Sequence, residues 1–115
     1  MKIVATVCLL LWSITINAQA SIVGVWNTGN DNTKIEIAEV EGGYEGKIVS
    51  SDNTKANVGK RILKNVQAAS GTWKGEIFAA KRGKWMDAVI EEKKEELEII
   101  VGTGWKSKTL KWTKG

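Results

Sequence analysis

The chain has 115 residues, no histidine, no proline and one cysteine, with 17 basic against 13 acidic side chains. This length is enough for one domain. Because the chain has no histidine, catalytic triads of the Ser–His and Cys–His kinds are excluded. Zinc and most transition-metal sites need His or Cys ligands, and a single cysteine does not supply them. No Asp-x-Asp-x-Asp-Gly loop for calcium is present. A hydrolase built on paired carboxylates stays open as a minor alternative, but the sequence predicts a protein that is not an enzyme and needs no cofactor or metal.

The N-terminal 20 residues have the pattern of a cleavable secretory signal. Lys2 provides a positive start, and the run 3–16 is apolar and uncharged. Small residues follow at Ala18 and Ala20, the positions that a signal peptidase reads. A membrane span needs about 20 apolar residues, more than this run supplies. We therefore predict cleavage between Ala20 and Ser21, export to the periplasm or the medium, and no membrane span in the mature chain.

The predicted mature domain, residues 21–115, has no cysteine and must be held together by its core alone. Loss of Lys2 with the signal lowers the formal net charge from +4 to +3. So weak a positive charge does not by itself indicate a nucleic-acid partner. An exported protein also seldom meets nucleic acid, so we expect a small apolar molecule or an envelope protein as partner.

Short segments in which polar and apolar residues alternate recur through the mature domain, separated by Gly, Asn, Asp and Lys clusters. One segment, 60–66, is open between a strand and a short helical turn. The stretch 87–101 is rich in helix-forming residues, but its six consecutive charges, 91–96, would interrupt an apolar helical stripe. Two strands joined by a charged loop fit this stretch better. The remaining predicted strands are 22–28, 33–40, 44–50, 72–79, 84–90, 97–101 and 109–114.

About eight short strands with tight connections predict an all-β fold: a single antiparallel up-and-down barrel, which leaves no exposed sheet edge. The interior of an eight-stranded barrel is either filled by side chains or holds one small ligand. We predict a small apolar or amphiphilic ligand inside, with the Tyr44 hydroxyl at the mouth. The predicted ligand-binding residues are Trp26, Ile37, Tyr44, Ile48, Trp73, Ile77 and Trp112, with Ile35 in the same wall.

The alternative prediction is a filled barrel that acts as a protein–protein interaction module, such as an inhibitor or an envelope accessory factor. Trp85 follows a basic turn and shares its strand face with Asp87, while Trp105 lies in a glycine-rich turn. Exposed aromatic side chains beside cations are typical of contact surfaces. The predicted surface contacts are Arg82, Trp85, Trp105 and Lys106.

Several short motifs follow one another along the chain. The first is Gly24-Val25-Trp26, the G-x-W start of lipocalin-like and avidin-like barrels. The others are Gly46-Lys47-Ile48-Val49, Gly59 followed by Ile62-Leu63, Trp73-Lys74-Gly75 followed by Ile77-Phe78, Gly83-Lys84, and the closing Lys108–Lys114. In this order they resemble the bacterial exported family named domain of unknown function 2147, over nearly all of 22–114. The resemblance implies a signal peptide and one lipocalin-like barrel. By analogy with lipocalins, it also implies that Lys114 covers Trp26.

The chain departs from the pattern of that family at several positions. Ala79 and Ala80 stand where the family has Asp-Pro, and Met86 stands where it has Tyr. The closing W-T-R is W-T-K, ending at Lys114, and lysine lacks the planar fork of arginine. If the missing Asp and Tyr line a family site, this chain binds a different ligand or none.

Overall fold

The computed structural model describes residues 22–102 and 104–115. In it, eight antiparallel strands pair in sequence order and close into a barrel, which confirms the predicted all-β fold. The strands are β1 (Gly24–Asn27), β2 (Lys34–Val40), β3 (Gly43–Ser50), β4 (Arg61–Ala69), β5 (Thr72–Ala79), β6 (Lys84–Lys93), β7 (Glu96–Val101) and β8 (Lys108–Lys114), with a 3₁₀ turn at Gly104–Lys106. The predicted signal peptide, 1–20, and its cleavage point lie outside the described residues. Within them, no helix has the length and apolar character needed to cross a membrane.

The segment left open between strand and helical turn is part of β4. Its irregularity comes from a β-bulge, because the register with β5 shifts between Lys64 and Gln67. Asn65 takes a φ of 55° inside this bulge, a left-handed conformation that asparagine tolerates better than most residues. The bulge breaks the simple alternation of the sequence, which explains why the pattern was ambiguous there.

The charged loop predicted at 91–96 is shorter than expected. Strand β6 continues to Lys93 and β7 begins at Glu96, so the turn consists of Lys94 and Glu95 alone. Most of the charged side chains lie on strands at the barrel rim, where cross-strand pairing provides partners: Lys93 lies opposite Glu96 in the ladder. Charge runs are compatible with strands when the strands project beyond the core.

One face of each strand points into the barrel and forms a continuous core. The buried hydrophobic residues are 0–5% exposed and are Ile22, Trp26, Ile35, Ile37, Leu63, Val66, Ile77, Ala88, Ile90, Leu97, Ile99 and Trp112. Seven of the eight strands contribute a residue to this core. In β3 the inward position is occupied by the buried Gly46. Partly buried residues packed against this core include Tyr44, Ile48, Ile62 and Trp73.

The two ends of the barrel differ in their connections. At one end, which we name the turn end, the connections are the two-residue segments 41–42, 70–71 and 94–95. At the other, the loop end, lie the longer connections 28–33, 51–60, 80–83 and the segment that includes the 3₁₀ turn. In an up-and-down barrel successive connections alternate between ends, so the four longer ones all meet at the loop end. A binding site formed by loops is therefore expected there.

Candidate binding surfaces of the barrel

Four of the predicted ligand-binding residues lie deep in the core. Trp26, Ile37, Ile77 and Trp112 are between 1% and 5% exposed. The indole N–H of Trp26 donates a hydrogen bond of 2.9 Å to the carbonyl oxygen of Ile22. These side chains are buried in contact with other core residues, and the Trp26 N–H already has a partner. A ligand would reach them only if the core opened.

Two glycines show how closely the interior is packed. A Cβ added at Gly46 would lie 3.1 Å from side-chain atoms of Ile35 and Leu63. A Cβ added at Gly75 would lie 2.7 Å from Cγ2 of Val66 and 2.9 Å from the Lys64 carbonyl oxygen. Neighbouring strands and side chains therefore pack directly on the backbone at both positions, and the middle of the barrel is filled by protein.

Tyr44 and Trp73 lie together at the turn end. Their rings meet edge to face, with centroids 5.3 Å apart. The Trp73 indole N–H donates a hydrogen bond of 2.8 Å to Oε1 of Glu92. The cluster covers the closed end of the barrel, far from the four longer loops. Of the residues predicted for the ligand-binding wall, Ile48 and Ile35 line the depression found at the loop end.

That depression lies between the connections 28–33 and 51–60 and has a volume of about 390 Å³. Its apolar lining consists of Ile35, Ile48, Ala56, Ile62, Phe78 and Ala80, and its polar lining includes Asn53, Lys55, Asn57 and Lys60. The Lys60 ammonium lies 3.9 Å from the centroid of the Phe78 ring. An apolar floor with cations at the rim suits a molecule that has an apolar and a charged part.

The two loops beside this depression hold each other in place. The Asp52 amide donates a hydrogen bond of 2.8 Å to the Asp31 carbonyl oxygen, and the hydroxyls of Thr33 and Ser51 are 2.7 Å apart. The Asn53 side-chain amide donates to the Asp31 carboxylate at 3.3 Å. These bonds connect chain segments that are distant in sequence and order the rim of the site.

The predicted surface residues adjoin this depression, because Trp85 contacts Phe78 of its lining. Arg82, Trp85 and Lys106 line one shallow depression of about 350 Å³. Trp105 is 89% exposed, and the Lys106 ammonium lies 5.0 Å from its ring centroid. The structure thus brings the predicted surface set into one region.

Trp85 differs from Trp105 because it is half-buried and packed on the outer face of the barrel. Its ring meets that of Phe78 edge to face at 5.5 Å between centroids. The Lys64 ammonium lies 4.3 Å from its centroid and the Arg61 guanidinium 5.9 Å. Arg61 also forms an ion pair of 2.7 Å with Glu45. Trp85 is therefore the centre of an aromatic and cationic cluster with a structural role.

Sequence reasoning did not single out Lys55, Lys60, Ile62 and Phe78 as site residues. Phe78 lies opposite Trp85 in the β5–β6 ladder, on the outer face rather than in the predicted interior. It becomes part of a site because the connection 51–60 returns along this side of the barrel. The apolar Ile62 and Phe78 near a long polar loop were the available signal, but the path of a loop is not encoded in strand alternation.

Among residues 22–102 and 104–115, no group of three or more His, Cys, Asp or Glu side chains is arranged to hold a metal ion. Comparison with models of protein families, with curated proteins and with solved structures found no match. The resemblance to domain of unknown function 2147 therefore stays a prediction that depends on the motifs alone, and the function is argued from the geometry of the barrel.

Proposed function

We propose that this protein is an exported binding module that holds a small amphiphilic molecule at the loop end of its barrel. The observation that carries the proposal is the depression of about 390 Å³ with an apolar floor and a cationic rim. Ligand sites in proteins commonly have volumes of about 300–1,000 Å³ and combine apolar walls with a few polar groups. The secretory pattern of residues 1–20 supports the export part of the proposal.

The chemistry of the lining indicates how such a ligand binds. A short hydrocarbon chain packs against the half-buried Ile48, Ile62 and Phe78, which removes apolar surface from water at about 25 cal/mol per Å². A carboxylate or phosphate head lies at the rim, where the ammonium groups of Lys55 and Lys60 donate hydrogen bonds to it. The ligand is thus an anionic amphiphile of modest size.

The site is shallow, because the barrel below it is filled. Ile35 is 1% exposed and Leu63 is fully buried beneath the floor of the depression. A long chain therefore cannot thread through the barrel without displacing core residues. We expect the affinity to rise with chain length only for short chains. Carbons added beyond those that the depression accommodates should improve the affinity little.

Isothermal titration calorimetry with octanoate, a short-chain fatty acid used below its critical micelle concentration, tests the proposal. The decisive variant is Ala56→Trp, because Ala56 lines the depression and the larger ring would fill it. The matched control is Ala38→Trp, which adds the same volume in a second groove. That groove is lined by β2, β3, Val58 and Gly59, and it shares only Ile48 with the lining of the depression. Far-UV circular dichroism and thermal unfolding establish that both variants fold.

We expect saturable binding by the unsubstituted protein, a loss of about tenfold or more in affinity for Ala56→Trp, and little change for Ala38→Trp. No saturable binding of fatty acids of any chain length, or equal losses in the two variants, would contradict the proposed site. Loss in Ala38→Trp alone would assign the ligand to the second groove.

A further inference from the structure

The part of the loop end that adjoins the proposed ligand site, formed by segments 80–84 and 104–108, carries a concentrated positive charge. The segments 80–84 and 104–108 contain five basic residues and no acidic one: Lys81, Arg82, Lys84, Lys106 and Lys108. They belong to two different connections that meet in space, since Arg82 and Lys106 line the same two depressions. All five side chains are exposed.

The turn end carries the opposite sign. The β6–β7 hairpin has four glutamates within 91–96 against two lysines, and Glu39 and Glu41 lie at the β2–β3 turn. The pair Lys93–Glu91, at 3.6 Å, neutralises little of this charge. Positive charge at one end and negative charge at the other give the barrel a dipole along its axis. Such a distribution orients a protein at a charged surface before contact is made.

An exposed tryptophan lies within the positive region. Trp105 is the most exposed of the large hydrophobic residues in the described chain, at 89%. The other exposed large hydrophobic residues are Val40, Val49 and Val58. They lie on β2, on β3 and on the connection 51–60, outside the segments 80–84 and 104–108. An exposed tryptophan with basic residues around it has the composition of residues that lie at a lipid headgroup layer.

We infer that this tip, comprising Lys81, Arg82, Lys84, Trp105, Lys106 and Lys108, docks on the surface of an anionic phospholipid bilayer. The basic side chains contact the lipid phosphates, and the indole of Trp105 enters the headgroup region. The inference goes beyond the proposed function, since none of these six residues lines the ligand depression and the docking needs no ligand in the barrel. It also places the loop end, with its depression, facing the membrane from which an amphiphile would come.

A lipid surface fits this tip better than a soluble polyanion. The charge of the tip is carried by exposed side chains around two shallow depressions instead of lining a deep groove. A polyanion would use the cations alone, whereas a bilayer also uses an exposed indole, because the headgroup layer accepts its ring and its N–H together. Dependence on Trp105 therefore separates the two kinds of partner.

The test is co-sedimentation of the purified protein with vesicles of phosphatidylglycerol or of phosphatidylcholine, with the same N-terminus in every variant. The decisive variant is Lys81→Glu with Arg82→Glu at the loop end. The matched control is Lys93→Glu with Lys94→Glu at the turn end, which changes the net charge equally. Binding is measured at low and at high salt, because attraction to an anionic surface is screened within about 10 Å at roughly 0.1 M salt.

We expect binding to phosphatidylglycerol but not to phosphatidylcholine, and weakening by salt. We expect a loss of about tenfold or more for the loop-end pair and much less for the turn-end pair. Brominated phosphatidylglycerol is expected to quench tryptophan fluorescence, and Trp105→Phe to remove that quenching. Equal losses in the two charge pairs, or binding that does not need Trp105, would overturn the inference in favour of a general polyanion effect.

This outcome is separable from that of the proposed ligand site. Ala56→Trp is expected to keep binding to phosphatidylglycerol vesicles while it loses the fatty acid. The variant with Lys81→Glu and Arg82→Glu is expected to bind the fatty acid with unchanged affinity in the absence of vesicles. Absence of any binding to phosphatidylglycerol would refute the docking proposal and would not affect the proposed ligand site. The tip would then be assigned to contact with a protein partner.

Discussion

The ammonium of Lys114, on the last strand of the barrel, lies 4.9 Å from the centroid of the Trp26 ring, on the first strand. The two residues are directly opposite in the β1–β8 ladder, where Asn27 and Thr113 form the next pair. A further hydrogen bond of 2.9 Å runs from the Gly115 amide to the Val25 carbonyl oxygen. Few contacts join these strands, so the cation over the indole is a substantial part of the closure. The contact that the lipocalin analogy predicted is confirmed.

Replacing Lys114 with alanine is expected to weaken this closure. An exposed cation–π contact is worth about 0.5–1 kcal/mol, and Lys114→Ala should lower the free energy of unfolding by that amount. Lys114→Arg should retain it, since guanidinium also binds ring faces. Urea unfolding followed by tryptophan fluorescence measures the difference.

Lys74→Ala provides the control, because Lys74 is an exposed lysine in the ladder of β5 and forms none of the cation–π contacts of the described residues. The two alanine variants lose the same intrinsic strand preference. If they cost equal amounts of stability, the Lys114–Trp26 contact contributes nothing to the closure of the barrel.

The fold was predictable because the period-two pattern is unbroken in most strands. In β2, for example, Ile35 and Ile37 are 1% exposed, and Glu36 between them is exposed. The pattern also placed Trp26 and Trp112 in the core, where they lie. It did not reveal whether the interior is empty, because that depends on how neighbouring strands approach at Gly46 and Gly75. Those distances arise from the closure of the barrel and have no local signature.

The candidate site was less predictable than the fold. Strand alternation assigns a residue to the inside or the outside, but it does not tell which end of the barrel is open. Tyr44 was predicted at the mouth, yet it lies at the turn end against Trp73. The depression at the loop end depends on the path of the connection 51–60, which is fixed by hydrogen bonds such as that between Asp52 and Asp31.

Gly75→Ala tests the close packing of the barrel interior. The added methyl group would lie 2.7 Å from Val66 Cγ2 and 2.9 Å from the Lys64 carbonyl oxygen, and the backbone atom cannot move away cheaply. We expect a loss of about 1–3 kcal/mol in the free energy of unfolding. Gly46→Ala should cost less, because its contacts at 3.1 Å are with side chains of Ile35 and Leu63 that can adjust. Losses close to zero in both variants would show that the interior is looser than the structure indicates.

The two outer tryptophans are expected to respond differently to truncation. Trp85→Ala removes the edge-to-face contact with Phe78 and the cation contact with Lys64, and should cost about 1–2 kcal/mol of stability. Trp105→Ala should change stability by less than about 0.5 kcal/mol, since the residue is 89% exposed. Thermal unfolding of both variants measures this, and equal melting temperatures would contradict a structural role for Trp85.

The β6–β7 turn offers a stabilising substitution. Glu95 has a φ of 57°, a left-handed conformation that strains a residue with a Cβ by about 1–2 kcal/mol. Lys94 is not among the residues with positive φ in the described chain. Glycine relieves the strain at 95 but gains entropy in the unfolded state, which offsets about 0.4–1 kcal/mol. The net expectation for Glu95→Gly is a gain of about 0.5 kcal/mol in the free energy of unfolding.

Charge must be separated from conformation in this experiment, because Glu95 lies in a run of acidic residues. Glu95→Gln removes the charge and keeps the Cβ, so a gain shared by both variants would be electrostatic and would vanish at high salt. Lys94→Gly is expected to lower stability, since its backbone gains no relief and its unfolded state becomes more flexible. A gain for Glu95→Gly alone, unchanged by salt, would show that the left-handed backbone at 95 is the source of the strain in this hairpin.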